Sequence, residues 1–285
     1  MKPKGEPKDP GTTGHSWDGI EELNNPLPRW WLWTFYLTII WGVGYTIMYP
    51  AWPLISGATP GLLGYSSRAE VRADINAVTD ANAAIDTRLM SVDLAAVSTD
   101  PELQRYATAG GGALYRTYCS QCHGAGAAGS KGYPNLLDDD WLWGGTLADI
   151  RTTLTHGIRW EKDTDTRYSQ MPNFGEILTG EEIGQVVEHV LSLSGQEFDA
   201  TAEKPGATVY ADNCSGCHGE TGKGDQQQGA PNLTDAIWLY GGDQKSITAS
   251  VTKANFGIMP AWSQKLSALQ IRQLAVYVHQ LGGGL

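Results

Sequence analysis

One five-residue pattern constrains this chain more than anything else. It occurs twice, as Cys119-Ser120-Gln121-Cys122-His123 and Cys214-Ser215-Gly216-Cys217-His218, and it consumes all four cysteines. Two thiols three positions apart can add to the two vinyl groups of one haem, and the adjoining histidine then falls beneath the iron as its proximal ligand. A zinc site would need two cysteine pairs converging on one ion, whereas each pair here has its own histidine. A dithiol redox motif needs no following histidine. The pattern therefore predicts two covalently bound haem c groups, attached at Cys119 and Cys122 and at Cys214 and Cys217, with His123 and His218 as iron ligands. A chain so built is expected to carry electrons.

The motifs sit inside a longer duplication, the feature to seek before any other. Gly111-Gly112-Ala113-Leu114-Tyr115 precedes the first motif and Gly206-Ala207-Thr208-Val209-Tyr210 the second. Downstream, Pro134-Asn135-Leu136 answers Pro231-Asn232-Leu233, and Trp141-Leu142-Trp143-Gly144-Gly145 answers Trp238-Leu239-Tyr240-Gly241-Gly242. Each copy closes on an apolar-periodic segment, which predicts helices over 180–193 and 267–281. Two tandem domains, 108–198 and 199–285, are expected. The copies differ in one place: the first carries an insertion between Gly157 and Met171, including Arg159-Trp160-Glu161-Lys162-Asp163. Such a loop is either a partner-docking element or a tolerated surface insertion.

An electron-transfer haem normally has two axial protein ligands. Of the five methionines, Met1 is the initiator, Met48 lies in an apolar span and Met90 precedes both domains. Met171 and Met259 remain, each followed by proline and each just before a closing helix. They are the expected sixth ligands; whether each serves its own copy or the other is open at this point. His156, His189 and His279 are expected to pack or to be exposed, with His156 and Arg159 also candidates for a propionate contact.

Residues 30–49 are twenty residues without a charge. As a helix they would reach ~30 Å, one hydrocarbon thickness. Trp30, Trp31, Trp33 and Trp52 flank the run as interfacial anchors do. It is longer than a signal-peptide core of ~7–15 residues, so an uncleaved anchor over 30–50 is expected. Lys2, Lys4, Lys8 and Arg29 precede it and no Lys or Arg occurs from Pro50 to Ser67. That asymmetry predicts a cytoplasmic segment 1–29 and haem domains on the periplasmic side of a bacterial inner membrane. Residues 51–107 are expected to link anchor to domains, with a short Gly-, Pro- and Ser-rich linker over 57–66 and an amphipathic helix over 67–90 whose apolar face packs on a haem domain or docks another subunit. The net charge of −11 falls almost entirely after the anchor; it serves solubility or steers a basic protein partner. No nucleic-acid partner is expected.

Each half resembles a class I cytochrome c domain: a first helix with a Gly–aromatic pair, the haem motif, a Pro-Asn-Leu segment, a Met-Pro loop and a last helix crossing the first. This implies a mainly α fold, and it implies that the carbonyls of Pro134 and Pro231 orient His123 and His218 through Nδ1. The segment Trp17-Asp18-Gly19-Ile20-Glu21-Glu22-Leu23-Asn24-Asn25-Pro26-Leu27-Pro28-Arg29, with the span after it, resembles the start of the dihaem subunit III of cbb3-type cytochrome c oxidases. The resemblance implies a non-catalytic electron-transfer subunit. Its partners would be membrane lipid, a soluble or membrane-anchored cytochrome c donor, a monohaem cytochrome c subunit and a separate haem–copper catalytic subunit. A dihaem subunit of a periplasmic dehydrogenase is the alternative.

Overall fold

The structure is a computed structural model that describes residues 10–284. Lys2, Lys4 and Lys8, on which part of the orientation argument rests, lie outside the described residues. The chain divides into two compact units, 1–81 and 82–285.

In the first unit, β1 (Thr12–Trp17) and β2 (Ile20–Leu23) form an antiparallel hairpin turned at Asp18-Gly19, both at positive φ, which is the chemistry of a tight two-residue hairpin turn. α1 (Arg29–Met48) then coincides with the expected span and has no buried residue. Trp30, Ile40 and Trp41 each stay more than three-fifths exposed. A helix apolar on every face suits hydrocarbon rather than water. It is the one helix among the described residues long and apolar enough to cross a membrane.

β3 (Pro53–Leu54) and β4 (Gly57–Ala58) form a short hairpin after the helix. The stretch expected to be a linker is tied down: Leu62 and Leu63 donate their amides to Ile47 O and Met48 O at 3.0 and 3.1 Å. Those carbonyls have no partner within the last turn of α1, and the returning chain satisfies them.

α2 (Ser67–Ser91) matches the expected amphipathic helix. Its stripe divides along its length. Ile85 and Leu89 join the haem-domain core, whereas Val71, Ile75 and Val78 are more than half exposed.

In the second unit a 3-10 helix (Leu94–Thr99) leads to α3 (Pro101–Tyr118). Asp100 caps α3 by accepting from Glu102 N and Leu103 N at 3.1 and 3.2 Å, with Pro101 at the first helical position, where a missing N–H costs nothing. There follow α4 (Ser120–His123), α5 (Leu147–His156) and α6 (Gly180–Leu193) in the first copy, then α7 (Ala200–Asn213), α8 (Ser215–His218), α9 (Gln244–Thr252) and α10 (Ala268–His279) in the second. Both closing helices start on a capping box, Thr179 with Glu182 and Ser267 with Gln270.

The packing of these helices corrects one expectation. The last helix of each copy does not cross its own first helix: α6 packs on α7 and α9, and α10 packs on α3 and α5. One core joins Leu103, Tyr115, Cys119, Ile150, Ile271 and Leu274; the other joins Phe174, Val186, Val190, Tyr210, Ile247 and Val251. The crossings depend on glycine. A Cβ on Gly111 would lie 2.2 Å from Gln273 O, and one on Gly206 would lie 2.0 Å from Gln185 O. The backbones approach too closely for any side chain.

The reason is local. Only residues 194–199 separate α6 from α7, and a link that short makes antiparallel neighbours of the helices it joins. Glu188 fastens the hairpin by accepting from Asp199 N at 2.7 Å, and His189 Nδ1 meets Glu203 at 2.9 Å. With α6 taken, the apolar face of α3 is left for α10.

Candidate functional site

Each cysteine–histidine motif lies on one turn of helix after the C-terminus of a longer helix, so its residues leave α3 or α7 at a set angle. Cys119 N donates to Tyr115 O at 2.9 Å and Cys214 N to Tyr210 O at 2.8 Å. Tyr115 and Tyr210 are fully buried and hand their hydroxyls to Gly124 O and Gly219 O at 2.8 and 2.7 Å. Each motif is thereby latched to the turn that follows it. Within each turn one thiol is more sheltered than the other: Cys119 is buried and Cys214 half-buried, while Cys122 and Cys217 are exposed. No disulfide joins any of them. Burial, with the neighbouring thiol second, pushes Cys119 and Cys214 up to about 11.

His123 Nδ1 lies 3.0 Å from Pro134 O, and His218 Nδ1 lies 3.1 Å from Pro231 O. These are the orienting contacts the resemblance implied. A carbonyl acceptor places the proton on Nδ1 and leaves the Nε2 lone pair for a metal. Burial holds both imidazoles below the usual histidine range, opposed by that carbonyl. That direction favours the neutral form, which a ligand must take.

The methionines are distributed by the exchanged packing. Met171 belongs to the core that contains Cys214, and it lines a cavity of about 540 Å³ together with Cys214, Cys217 and His218. The volume is that of a cofactor site, and its wall mixes apolar side chains such as Phe174, Val186 and Val251 with polar ones such as Lys131, Asp140 and Arg159. Two thiols that can bond the vinyl groups of a porphyrin, with an imidazole and a thioether that can ligate its iron, fit a haem c. Met259 packs against the core that contains Cys119. Each methionine thus sits with the cysteines of the other copy. Ala128, Tyr133 and Pro134, from the turn after the first motif, form part of the second cavity's wall.

Sequence reasoning missed what holds the methionines. Gly157, at φ +70°, gives Met259 its place, because a Cβ there would lie 2.3 Å from Met259 O. The insertion of the first copy is a brace: Ile158 pairs with Met259, Arg167 reaches Asp149 at 3.0 Å, and Gln264 donates to Lys162 O at 3.1 Å. The only sequence signal was the length difference between copies, which says nothing of where the extra residues go. His156 pairs with Asp163 at 3.1 Å.

Comparison with known proteins follows the same division of the chain. Residues 9–56 match the N-terminal domain of cytochrome oxidase-cbb3, FixP, and residues 107–190 and 201–278 each match cytochrome c oxidase, cbb3-type, subunit III. The cbb3-type cytochrome c oxidase subunit CcoP of Cereibacter sphaeroides is 60% identical over 287 residues, covering 100% of this chain and 99% of that protein. Its Rhodobacter capsulatus counterpart is 53% identical over 97% of both chains. The subunit FixP of Azorhizobium caulinodans is 53% identical over 96% of this chain and 94% of its own.

Proposed function

The chain belongs to the cbb3-type cytochrome c oxidase subunit III family, and on that premise we propose that it carries two covalently attached haems c whose distal ligands are exchanged between the two copies of its repeat. Cys119, Cys122 and His123 hold one haem with Met259; Cys214, Cys217 and His218 hold the other with Met171. The observation that carries this assignment is the shared cavity of Met171 with Cys214, Cys217 and His218, matched by Met259 packing on the core of Cys119.

The chain is a membrane-anchored electron-transfer subunit that works with the other subunits of its oxidase. Bound haem supplies a one-electron iron couple, with thioether ligation raising its potential. The protein's own contribution is placement. Pro134 and Pro231 fix the imidazole tautomer, the tyrosine latches hold each motif against its helix, and Phe174, Val186 and Val251 give the second site an apolar stretch of wall. Because the first copy's haem turn borders the second cavity, the two sites adjoin, which supports direct transfer between them.

In our reading a soluble or membrane-anchored cytochrome c donates electrons to this subunit, which delivers them through a monohaem cytochrome c subunit to a haem–copper catalytic subunit. The net charge of −11 supports a basic donor. The N-terminal segment stays in the cytoplasm and the haem domains in the periplasm, as the basic residues before α1 suggest. Relatives named as oxidase subunits disfavour the dehydrogenase alternative. Gentle solubilisation and purification through this chain should yield a copper-containing complex that takes up oxygen with reduced cytochrome c. A purified complex without that uptake refutes the oxidase role.

A further inference from the structure

Arg159 is the residue on which the two methionine loops converge. Its Nε donates to Gly257 O and its Nη1 to Ser169 O, both at 2.7 Å. Gly257 stands two residues before Met259 and Ser169 two residues before Met171. One planar guanidinium thus holds the same position of both distal loops, one from each copy of the repeat. Geometry of this kind needs the arginine fork; a lysine ammonium is a point donor on a flexible stem.

The residue is held in place at a cost. Its backbone sits at φ +51°, a left-handed conformation uncommon for a long side chain. Neighbouring pairings over-determine it: Arg159 N donates to Arg167 O at 2.8 Å, and Ile158 is bridged to both Arg167 and Met259. Strained residues fixed in this way tend to have a task. The guanidinium lies 6.0 Å from the Phe256 ring. Among the described residues it forms no ion pair with a carboxylate, whereas Arg167 in the same loop is paired with Asp149. Arg159 also borders the cavity shared by Met171 and His218.

We propose that Arg159 is a positioning residue common to both haem sites, which sets the approach of Met171 and Met259 together and so couples the ligation of one haem to that of the other. Both carbonyls are otherwise at the ends of loops without secondary structure, so the clamp decides how far each thioether is presented to its site. The inference rests on Met171 and Met259 being the distal ligands.

The test is a redox titration of the assembled complex, purified with this chain intact, in which both midpoint potentials and the far-red thioether-to-iron band are followed. R159M should weaken that band for both haems and lower both potentials. R159K, with one donor group, should disturb at least one haem, and it decides the matter if R159M fails to attach haem on a stained denaturing gel. K162M, which removes another cation of the same loop, should change neither. A change confined to one haem in R159M, two unchanged haems in R159K, or the same double fall in K162M overturns the clamp. M171A and M259A run alongside: if neither alters the band, the ligand assignment itself has failed, a result distinct from failure of the clamp.

Discussion

Ile158 and Met259 exchange both backbone hydrogen bonds, Ile158 N–H to Met259 O at 2.9 Å and Met259 N–H to Ile158 O at 3.0 Å, although they come from opposite copies of the repeat. Such a mutual pair is the unit of an antiparallel ladder. It fastens the second copy's methionine loop to the first copy's insertion, so the loop cannot withdraw without breaking both bonds. The exchanged placement of the methionine loops is therefore built into the backbone as well as the helix packing.

That exchange can be read haem by haem. In a chain whose second attachment site is removed by Cys214→Ser and Cys217→Ser, the one remaining haem should lose its far-red thioether band on Met259→Ala and keep it on Met171→Ala. The opposite response would mean that each copy ligates its own haem.

Gly157→Ala should act on one site alone. The substituted residue would be strained at φ +70°, and its Cβ would meet Met259 O at 2.3 Å. At ψ −169° this is a conformation essentially reserved for glycine, costing about 1–3 kcal/mol by itself, and the clash adds displacement of the Met259 loop. The first haem's potential should fall while the second stays put, as measured by redox titration.

Tyr115→Phe and Tyr210→Phe remove the two latches, which have the same geometry. Each glycine carbonyl keeps its backbone donor, Ala127 N at 3.1 Å or Gly222 N at 3.2 Å, so the loss is that of one hydrogen bond, roughly 0.5–1.5 kcal/mol. Thermal melting of the purified protein should show two destabilisations of similar size. Unequal losses would argue that one latch is redundant.

Asp140 predicts a pH dependence. Burial, followed by the nearby Asp235, Asp138 and Asp139, pushes its carboxyl from 3.8 up to about 6. The folded state therefore binds that proton more tightly than the unfolded chain. The resulting stabilisation is complete below the ordinary carboxylate range and is lost as pH rises through about 6. Asp140→Asn should raise the melting temperature at pH above that value and flatten the melting curve's dependence on pH across the interval. A variant that melts like the parent at every pH would remove Asp140 from the account.

Much of the site was legible in the residues. The motif spacing and the elimination of methionines picked out the residues that the structure gathers, His218 and Met171 about one cavity, and the hydrophobic period placed α6 over the very residues it occupies. The anchor was equally plain, because twenty uncharged residues with no buried face have few alternatives. What stayed hidden was the partner of each helix. α6 and α10 each present an apolar stripe, and α3 and α7 each offer the same Gly–Tyr spacing at the crossing, so local pattern cannot say which first helix receives which last one. Arg159 was visible only as a charge in an inserted loop, since a bond to a carbonyl some hundred residues away in sequence leaves no local pattern.

By itself the sequence determined the inventory: two cysteine pairs each followed by a histidine, two Met-Pro loops, one uncharged apolar run and one duplicated helical domain, all set by residue type and spacing along the chain. Tertiary structure decided the pairing. The short link over 194–199 joins α6 to α7 before α3 can use it, and the pairing of Ile158 with Met259 then carries the second thioether back to the first site. Connection length and backbone hydrogen bonding between distant segments made that choice, and neither is written in the composition of any one segment.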